Sequence, residues 1–325
     1  MEHRGGRAAA ARVRQHGRSP AGAPVAYRAR IDPLAEQAVD AINAISGVHP
    51  GHRAAHAKGT LLTGTFTPSA NARRLTTAAH MQGEPSRVTV RFSNGGGDPG
   101  IPDYAREGRG MAVKFYLEDG AKTDIVGLSL PCFFVRTPED FIEFTKARLE
   151  PEKLMPDFLG AHPEALPAIQ AALAADPPES YATCVYNSIH AFRWLDAEGG
   201  SRHVRYRLEP EAGARTLPGD EAKSRGRDYL RDEILGRDET AFRLLAILAD
   251  EDDPTDDPTA AWPEERERVE VGRLELTGPE TGRERGGDIL VFDPTRVTPG
   301  IELSDDPILH FRPKAYSVSV ERRTG

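Results

Sequence analysis

Cysteine is nearly absent from this 325-residue chain, which has only Cys132 and Cys184, far apart in sequence. Two such residues cannot build a disulfide framework or a cysteine-rich zinc site. Cys132 stands in the apolar run Leu130–Val135 and reads as a buried free thiol. Reduced thiols fit a cytoplasmic location. Long apolar runs are missing too. No stretch approaches the ~18 residues that a membrane span needs. Residues 1–24 are rich in Arg, Ala and Gly and have no aromatic residue. They lack the apolar centre of a secretory signal and are predicted to form a flexible tail. An excess of positive charge is also lacking. The net charge is -8, so nothing favours a nucleic-acid partner. What is present is 38% hydrophobic and 28% charged residues. That balance suits a soluble globular protein with a substantial core.

The elements follow from pattern. Asp32-Pro33 is a helix start, and Leu34, Ala38, Ile42 and Ile45 fall on one face before Gly47. Strands are predicted over 60–66, over 87–93, where polar and apolar residues alternate, and over 111–117. Asp124–Val135 is a longer apolar run. Thr137-Pro138 opens a helix over 141–148, and an Ala-rich helix is predicted near 164–174. The runs 190–195 and 204–208 flank Glu198-Gly-Gly200 as a hairpin. Residues 239–249, with Phe242, Leu244, Leu245, Ile247 and Leu248, are predicted as a helix. Strands are predicted again over 269–276 and 289–292. Many antiparallel strands with helices between them indicate an α+β fold around a β-barrel or strongly curved sheet.

Two stretches carry candidate chemistry. In Gly51-His-Arg-Ala-Ala-His-Ala-Lys-Gly59, His56 has small neighbours and a basic residue on each side, Arg53 and Lys58. Small neighbours let another group approach an imidazole that can move protons near pH 7. One histidine in a basic loop is by itself also an ordinary solvated or packing residue. Arg312 and Tyr316 are spaced i, i+4, so on a helix they share a face. A guanidinium beside a phenol favours the phenolate, which can ligate ferric iron. Spacing alone fits a simple Arg–Tyr surface contact equally.

The stretches between them give these two a context. Val90-Arg-Phe-Ser93, Arg109-Gly-Met-Ala-Val-Lys-Phe-Tyr116, Asp124-Ile-Val-Gly127 with Pro131-Cys-Phe-Phe134, Pro299-Gly-Ile-Glu302 and Arg312-x-x-x-Tyr316 follow His56-Ala-Lys-Gly59 in order. This set resembles the haem catalases over roughly residues 48–323. It is most similar to the small catalase-related peroxidases, which keep little beyond the haem-binding core. The resemblance implies an antiparallel β-barrel core with surrounding helices, with residues 25–325 as a single haem-binding domain. It implies haem b with its iron as cofactor and Tyr316 as the iron ligand, with Arg312 its charge partner. It puts His56 at the distal histidine, Ser93 at the hydroxyl that orients it, and Phe141 on the distal haem face. Arg53, Arg91 and Arg323 fall where arginines meet haem propionates. Glu107 falls where an acid guides peroxide inward. Gly95 falls where the family often has a bulky channel residue, which predicts wider access.

One position departs from the pattern. Leu128 stands where the family has a distal asparagine, with Ser129 next to it. Leucine cannot polarise peroxide as an amide does. The implied function is therefore a peroxidase that reduces hydrogen peroxide or organic hydroperoxides with a small organic electron donor, with weak catalase activity. A haem enzyme that rearranges fatty-acid hydroperoxides, like an allene oxide synthase, and a haem-binding protein of little activity are the alternatives. Homo-oligomerisation is compatible with this reading, and neither a nucleic acid nor a membrane is expected as partner.

Overall fold

The computed structural model describes residues 32–280 and 289–324. The predicted tail over 1–24 lies outside them. In chain order the strands are β1 (Gly59–Pro68), β2 (Ser86–Asn94), β3 (Arg109–Tyr116), β4 (Lys122–Leu128), β5 (Tyr186–Asn187), β6 (Phe192–Leu195), β7 (Ser201–Pro210), β8 (Thr240–Leu248), β9 (Arg268–Pro279) and β10 (Ile301–Leu303). The α-helices are α1 (Pro33–Ser46), α2 (Ala72–Leu75), α3 (Pro138–Ala147), α4 (Pro151–Ala161), α5 (Leu166–Ala174), α6 (Gly219–Ser224), α7 (Tyr229–Gly236) and α8 (Pro307–Thr324).

The strands β7-β5-β4-β3-β2-β1-β9-β8 follow one another as neighbours, and β8 pairs back onto β7. The sheet therefore closes into an eight-stranded antiparallel barrel, which leaves no open edge around the ring. The hairpin predicted around Glu198-Gly-Gly200 is β6 and β7, with Phe192 opposite Val204. β10 adds to β6 outside the ring.

The predicted helix over 239–249 is instead strand β8. Phe242, Leu244 and Ala246 are buried, a period of two, and they line the barrel core. An apolar run this short satisfies both periods, and pairing to β7 and β9 decides it. Residues 289–292, predicted as a strand, take no part in the sheet. Leu290 and Phe292 pack with Leu61 against the outside of the barrel. Helix α4 accommodates two prolines, Pro151 in its first turn and Pro156 inside it.

β2 and β3 have two dry faces. Val88, Val90 and Phe92 point into the barrel with Met111, Val113 and Phe115. Phe92 stacks on Tyr181 at 5.4 Å, and Phe115 meets Phe66 edge-on at 5.2 Å. The alternate residues Thr89, Arg91 and Ser93 are just as buried but point outward. Outside the barrel α1, α3 and α8 pack together through Ala35, Ala38, Val39, Ala41, Ile142, Phe311 and Val318. The buried face of α1 is thus rotated from the predicted one, and Leu34, Ile42 and Ile45 are only half-buried. Alanines let the helices approach closely. Asp32 caps α1 by accepting from the Leu34 N–H at 2.9 Å, as its sequence suggested. Among the described residues no helix is long and apolar enough to cross a membrane. Cys132 and Cys184 are free and buried.

Candidate active site

Strand register builds one wall of the site. Gly59 pairs with Ser93, Ser93 with Gly110, and Gly110 with Leu128. Residues directly opposite in antiparallel strands share a face, so these four form a row on the barrel's outer surface. The next row is Leu61, Arg91, Ala112 and Val126. The third holds Thr89, Lys114 and Asp124. There the buried Lys114 ammonium meets both Asp124 oxygens, at 2.5 and 2.8 Å, and Arg296 meets the same carboxylate at 2.5 Å. Burial pushes the lysine down and the carboxyl up, and their pairing opposes both shifts.

The loop that carries His56 lies over the first row. His56 has φ 53°, the one positive φ of a non-glycine among the described residues. Its amide donates to the Gly95 carbonyl at 3.2 Å, and Ala57 donates to Gly96 at 3.0 Å. Its Nδ1 is 3.0 Å from the Ser93 hydroxyl. A Cβ on Gly110 would stand 2.9 Å from that Nδ1 and 2.7 Å from the Ser93 hydroxyl, so only glycine leaves the ring its place. Desolvation, with the charges of Arg91, Arg312 and Arg53, holds the imidazole down to about 3. It is therefore neutral at physiological pH.

The other predicted residues fall around this point. Arg91 is 5% exposed and donates to the Ala57 carbonyl at 3.3 Å. Arg53 donates to the Leu290 carbonyl at 2.8 Å. Arg323, on the last turn of α8, lines a shallow cleft with Arg53 and Ser319, and the Ser319 hydroxyl accepts from the Ala54 amide at 3.1 Å. Phe141 on α3 stacks parallel to Phe133 at 6.3 Å and touches Phe134 at 5.9 Å. Leu128 ends the first row, half-buried. Ser129 follows Leu128 and so turns to the other side, where its hydroxyl accepts from the Arg109 amide at 2.8 Å. Glu107 accepts from the Gly96 amide at 3.0 Å and faces Arg109 at 3.5 Å, and burial pushes its carboxyl up. A Cβ on Gly95 would stand 2.9 Å from the Gly108 carbonyl, so the two backbones pack closely there.

Arg312 and Tyr316 share a face of α8, and the guanidinium Nε donates to the phenol oxygen at 2.7 Å. Burial drives that phenol up, while the charge and hydrogen bond of Arg312 pull it back. Behind Arg312 stands a chain that sequence reasoning did not find. Arg312 Nη1 lies 2.9 Å from His190 Nε2, and His190 Nδ1 lies 2.6 Å from Asp306. A guanidinium cannot accept, so Nε2 carries the lone pair and Nδ1 the proton. His190 is thus neutral, in keeping with burial pushing it well down. Asp306 also accepts the amides of Ile308 and Leu309, which caps the first turn of α8. Asp306-Pro307 was a readable helix start, whereas His190 in a strand-like run gave no signal of its partner.

Residues 37–325 match the family model described as Catalase. The chain belongs to the catalase family. With it, the chain is an oxidoreductase acting on peroxide. It is 45% identical over 298 residues to a catalase-related peroxidase of Mycolicibacterium paratuberculosis, across 89% of this chain and 95% of that one. It is 32% identical to a catalase-related peroxidase of Synechococcus elongatus, across 89% of this chain and 88% of that one. Among solved structures it superposes on a fungal catalase with a TM-score of 0.75 at 26% identity. That match covers 84% of this chain and 60% of the fungal one, so this catalase-family chain spans less than two thirds of that relative.

Proposed function

We propose that this catalase-family protein is a haem-dependent peroxidase that reduces hydrogen peroxide or an organic hydroperoxide with a small organic electron donor. Its catalase activity is weak. The observation that carries the reading is the presence of two buried pairs, His56 tied to Ser93 at 3.0 Å and a phenol tied to Arg312 at 2.7 Å, with the Arg312 charge also acting on His56. The residues suit a haem. The phenol is oxygen donor chemistry for ferric iron. Gly110 lets the His56 ring and the Ser93 hydroxyl pack against the β3 backbone, which holds the imidazole in place. Arg53, Arg91 and Arg312 all bear on His56 electrostatically, and such cations suit a ligand with carboxylates. The b form fits because neither cysteine stands in a C-x-x-C-H attachment motif.

In this reading Tyr316 holds the iron, and Arg312 favours the phenolate against burial. Arg53, Arg91 and Arg323 would pair with the carboxylates of the haem, and Phe141 would pack against its ring. When bound, the haem supplies the two-electron redox chemistry. His56 donates Nδ1–H to Ser93 and presents Nε2 as the base. It takes the proton from one peroxide oxygen and returns it to the other, which leaves as water or alcohol. The donor then supplies two electrons, and with two protons the hydroperoxide becomes an alcohol and water. Glu107 guides peroxide inward. Leu128 brings no amide, and Ser129 is held by the Arg109 amide at 2.8 Å, so a second peroxide is poorly polarised. The cluster of Phe133, Phe134 and Phe141 favours an apolar hydroperoxide, which also supports rearrangement as a second reading.

The absorption spectrum of the purified protein tests whether Tyr316 holds the iron. A tyrosinate-ligated ferric spectrum is expected, lost or strongly altered in Tyr316→Phe. An unchanged spectrum in that variant removes Tyr316 from the iron. Product analysis separates the rest: oxidised dye marks the peroxidase, oxygen release the catalase, and an allene oxide or ketol from a fatty-acid hydroperoxide the rearrangement.

A further inference from the structure

We infer that Lys58 is a positioning residue for His56, closing with Asn94 and Asp103 a ring of contacts that fixes the left-handed turn. The inference rests on His56 as the proton-transfer residue. A non-glycine residue in that region is strained and persists only where its surroundings over-determine it. In the turn the His56 and Ala57 amides donate to Gly95 and Gly96, and the Ala57 carbonyl accepts from Arg91. Lys58 supplies more.

Its ammonium, with the side chain 11% exposed, lies 2.6 Å from Asp103, whose side chain is fully buried. It also meets Asp228 at 2.7 Å and donates to the carbonyls of Ile101 at 2.8 Å and Arg227 at 3.0 Å. Asp103 is itself fixed, since it accepts from the Leu230 amide at 2.9 Å and from Asn94 Nδ2 at 3.0 Å. The Asn94 amide in turn donates to the Lys58 carbonyl at 3.1 Å. Asn94 is the residue after Ser93, the hydroxyl partner of His56. The path therefore runs from His56 to Ser93, Asn94, Asp103, Lys58 and back through Ala57. It fixes the imidazole's carrier and its hydrogen-bond partner in one frame. It also ties both to the segment that enters α7. A surface lysine would make one exposed ion pair of small value. This one has four acceptors, and one of them, the fully buried Asp103, would be left with an uncompensated charge if the lysine were lost.

The test compares Lys58→Met with the double variant Lys58→Met/Asp103→Asn, which removes both charges, in the haem-loaded protein. Backbone amide exchange at His56 and Ala57 is expected to accelerate about tenfold or more in both, while Val90 and Val113 in the barrel keep their protection. Haem absorption is expected to persist. Turnover is expected to fall up to about 100-fold with the donor's KM unchanged, since a displacement near 1 Å costs that much. Unchanged exchange at His56 and Ala57 overturns the inference. So does acceleration spread equally to Val90 and Val113, or failure of both variants to fold, since Lys58 is then a general stabiliser. Local loosening with full turnover overturns it as well. Failure of the underlying reading shows elsewhere, as peroxide cleavage retained in His56→Ala.

Discussion

The two faces of β2 are equally dry and chemically opposite. Val88, Val90 and Phe92 are fully buried inside the barrel, while Thr89, Arg91 and Ser93 are 2%, 5% and 4% exposed outside it. Apolar burial on the inner face is non-directional and sums with area. Polar burial on the outer face requires specific partners, because each buried polar group left unpaired costs about 1–3 kcal/mol. Here those partners include the His56 imidazole for Ser93 and the Ala57 carbonyl for Arg91. Burial alone therefore does not tell a core from a site. The polarity of what is buried does.

The comparison can be broken at several points. The largest effect is expected from His56→Ala, which should lower peroxide turnover by about 100- to 10,000-fold while haem absorption is kept. Turnover within a few fold of the parent would remove the outer face's claim to the chemistry. Next, Phe92→Ala on the inner face should cost about 3–5 kcal/mol in urea unfolding. Ser93→Ala, one residue away, should cost about 1 kcal/mol and act mainly on turnover. Equal stability losses would mean that the two faces do not differ in kind.

Acid supplies a third probe. His56 is held down to about 3 and His80 to about 4, chiefly by burial, and burial also lowers His190. These groups stay neutral in the folded chain when the unfolded chain, with histidines near 6.5, takes up protons. The unfolded state thus binds more protons below about 6.5, and stability must fall with pH through that window. Urea midpoints between pH 7.5 and 4.5 should be flat above about 7 and decline by a few kcal/mol below. A flat profile throughout would show that these histidines are not buried as neutral groups. The smallest expected effect comes from Leu128→Asn at the end of the first row. It should raise oxygen release from hydrogen peroxide by about tenfold, equivalent to about 1.4 kcal/mol of barrier. No gain would move the cause of weak catalase activity away from this position.

Much of the barrel was legible because β1, β2, β3 and β9 alternate, and period two is the direct imprint of a strand with one face on a core. β8 was not legible, because Leu244, Leu245, Ile247 and Leu248 satisfy a helical stripe as well as a strand. In the site, His56, Ser93, Arg312 and Tyr316 were readable as members of ordered stretches. Alternation already turned Ser129 to the other side of the strand from Leu128, but its bond to the Arg109 amide was not readable.

What the amino-acid order determined alone is local: the Asp32 cap, the Thr137 cap of α3 and the shared face of Arg312 and Tyr316. These depend on residues two to four apart, whose geometry the backbone sets. The tertiary structure decided closure of the barrel through β7 and β8, and the His190–Asp306 chain behind Arg312. Residues 116 and 122 positions apart meet there. No local preference encodes such a meeting. It follows only once burial of the inner faces has closed the sheet and brought α8 against its outside.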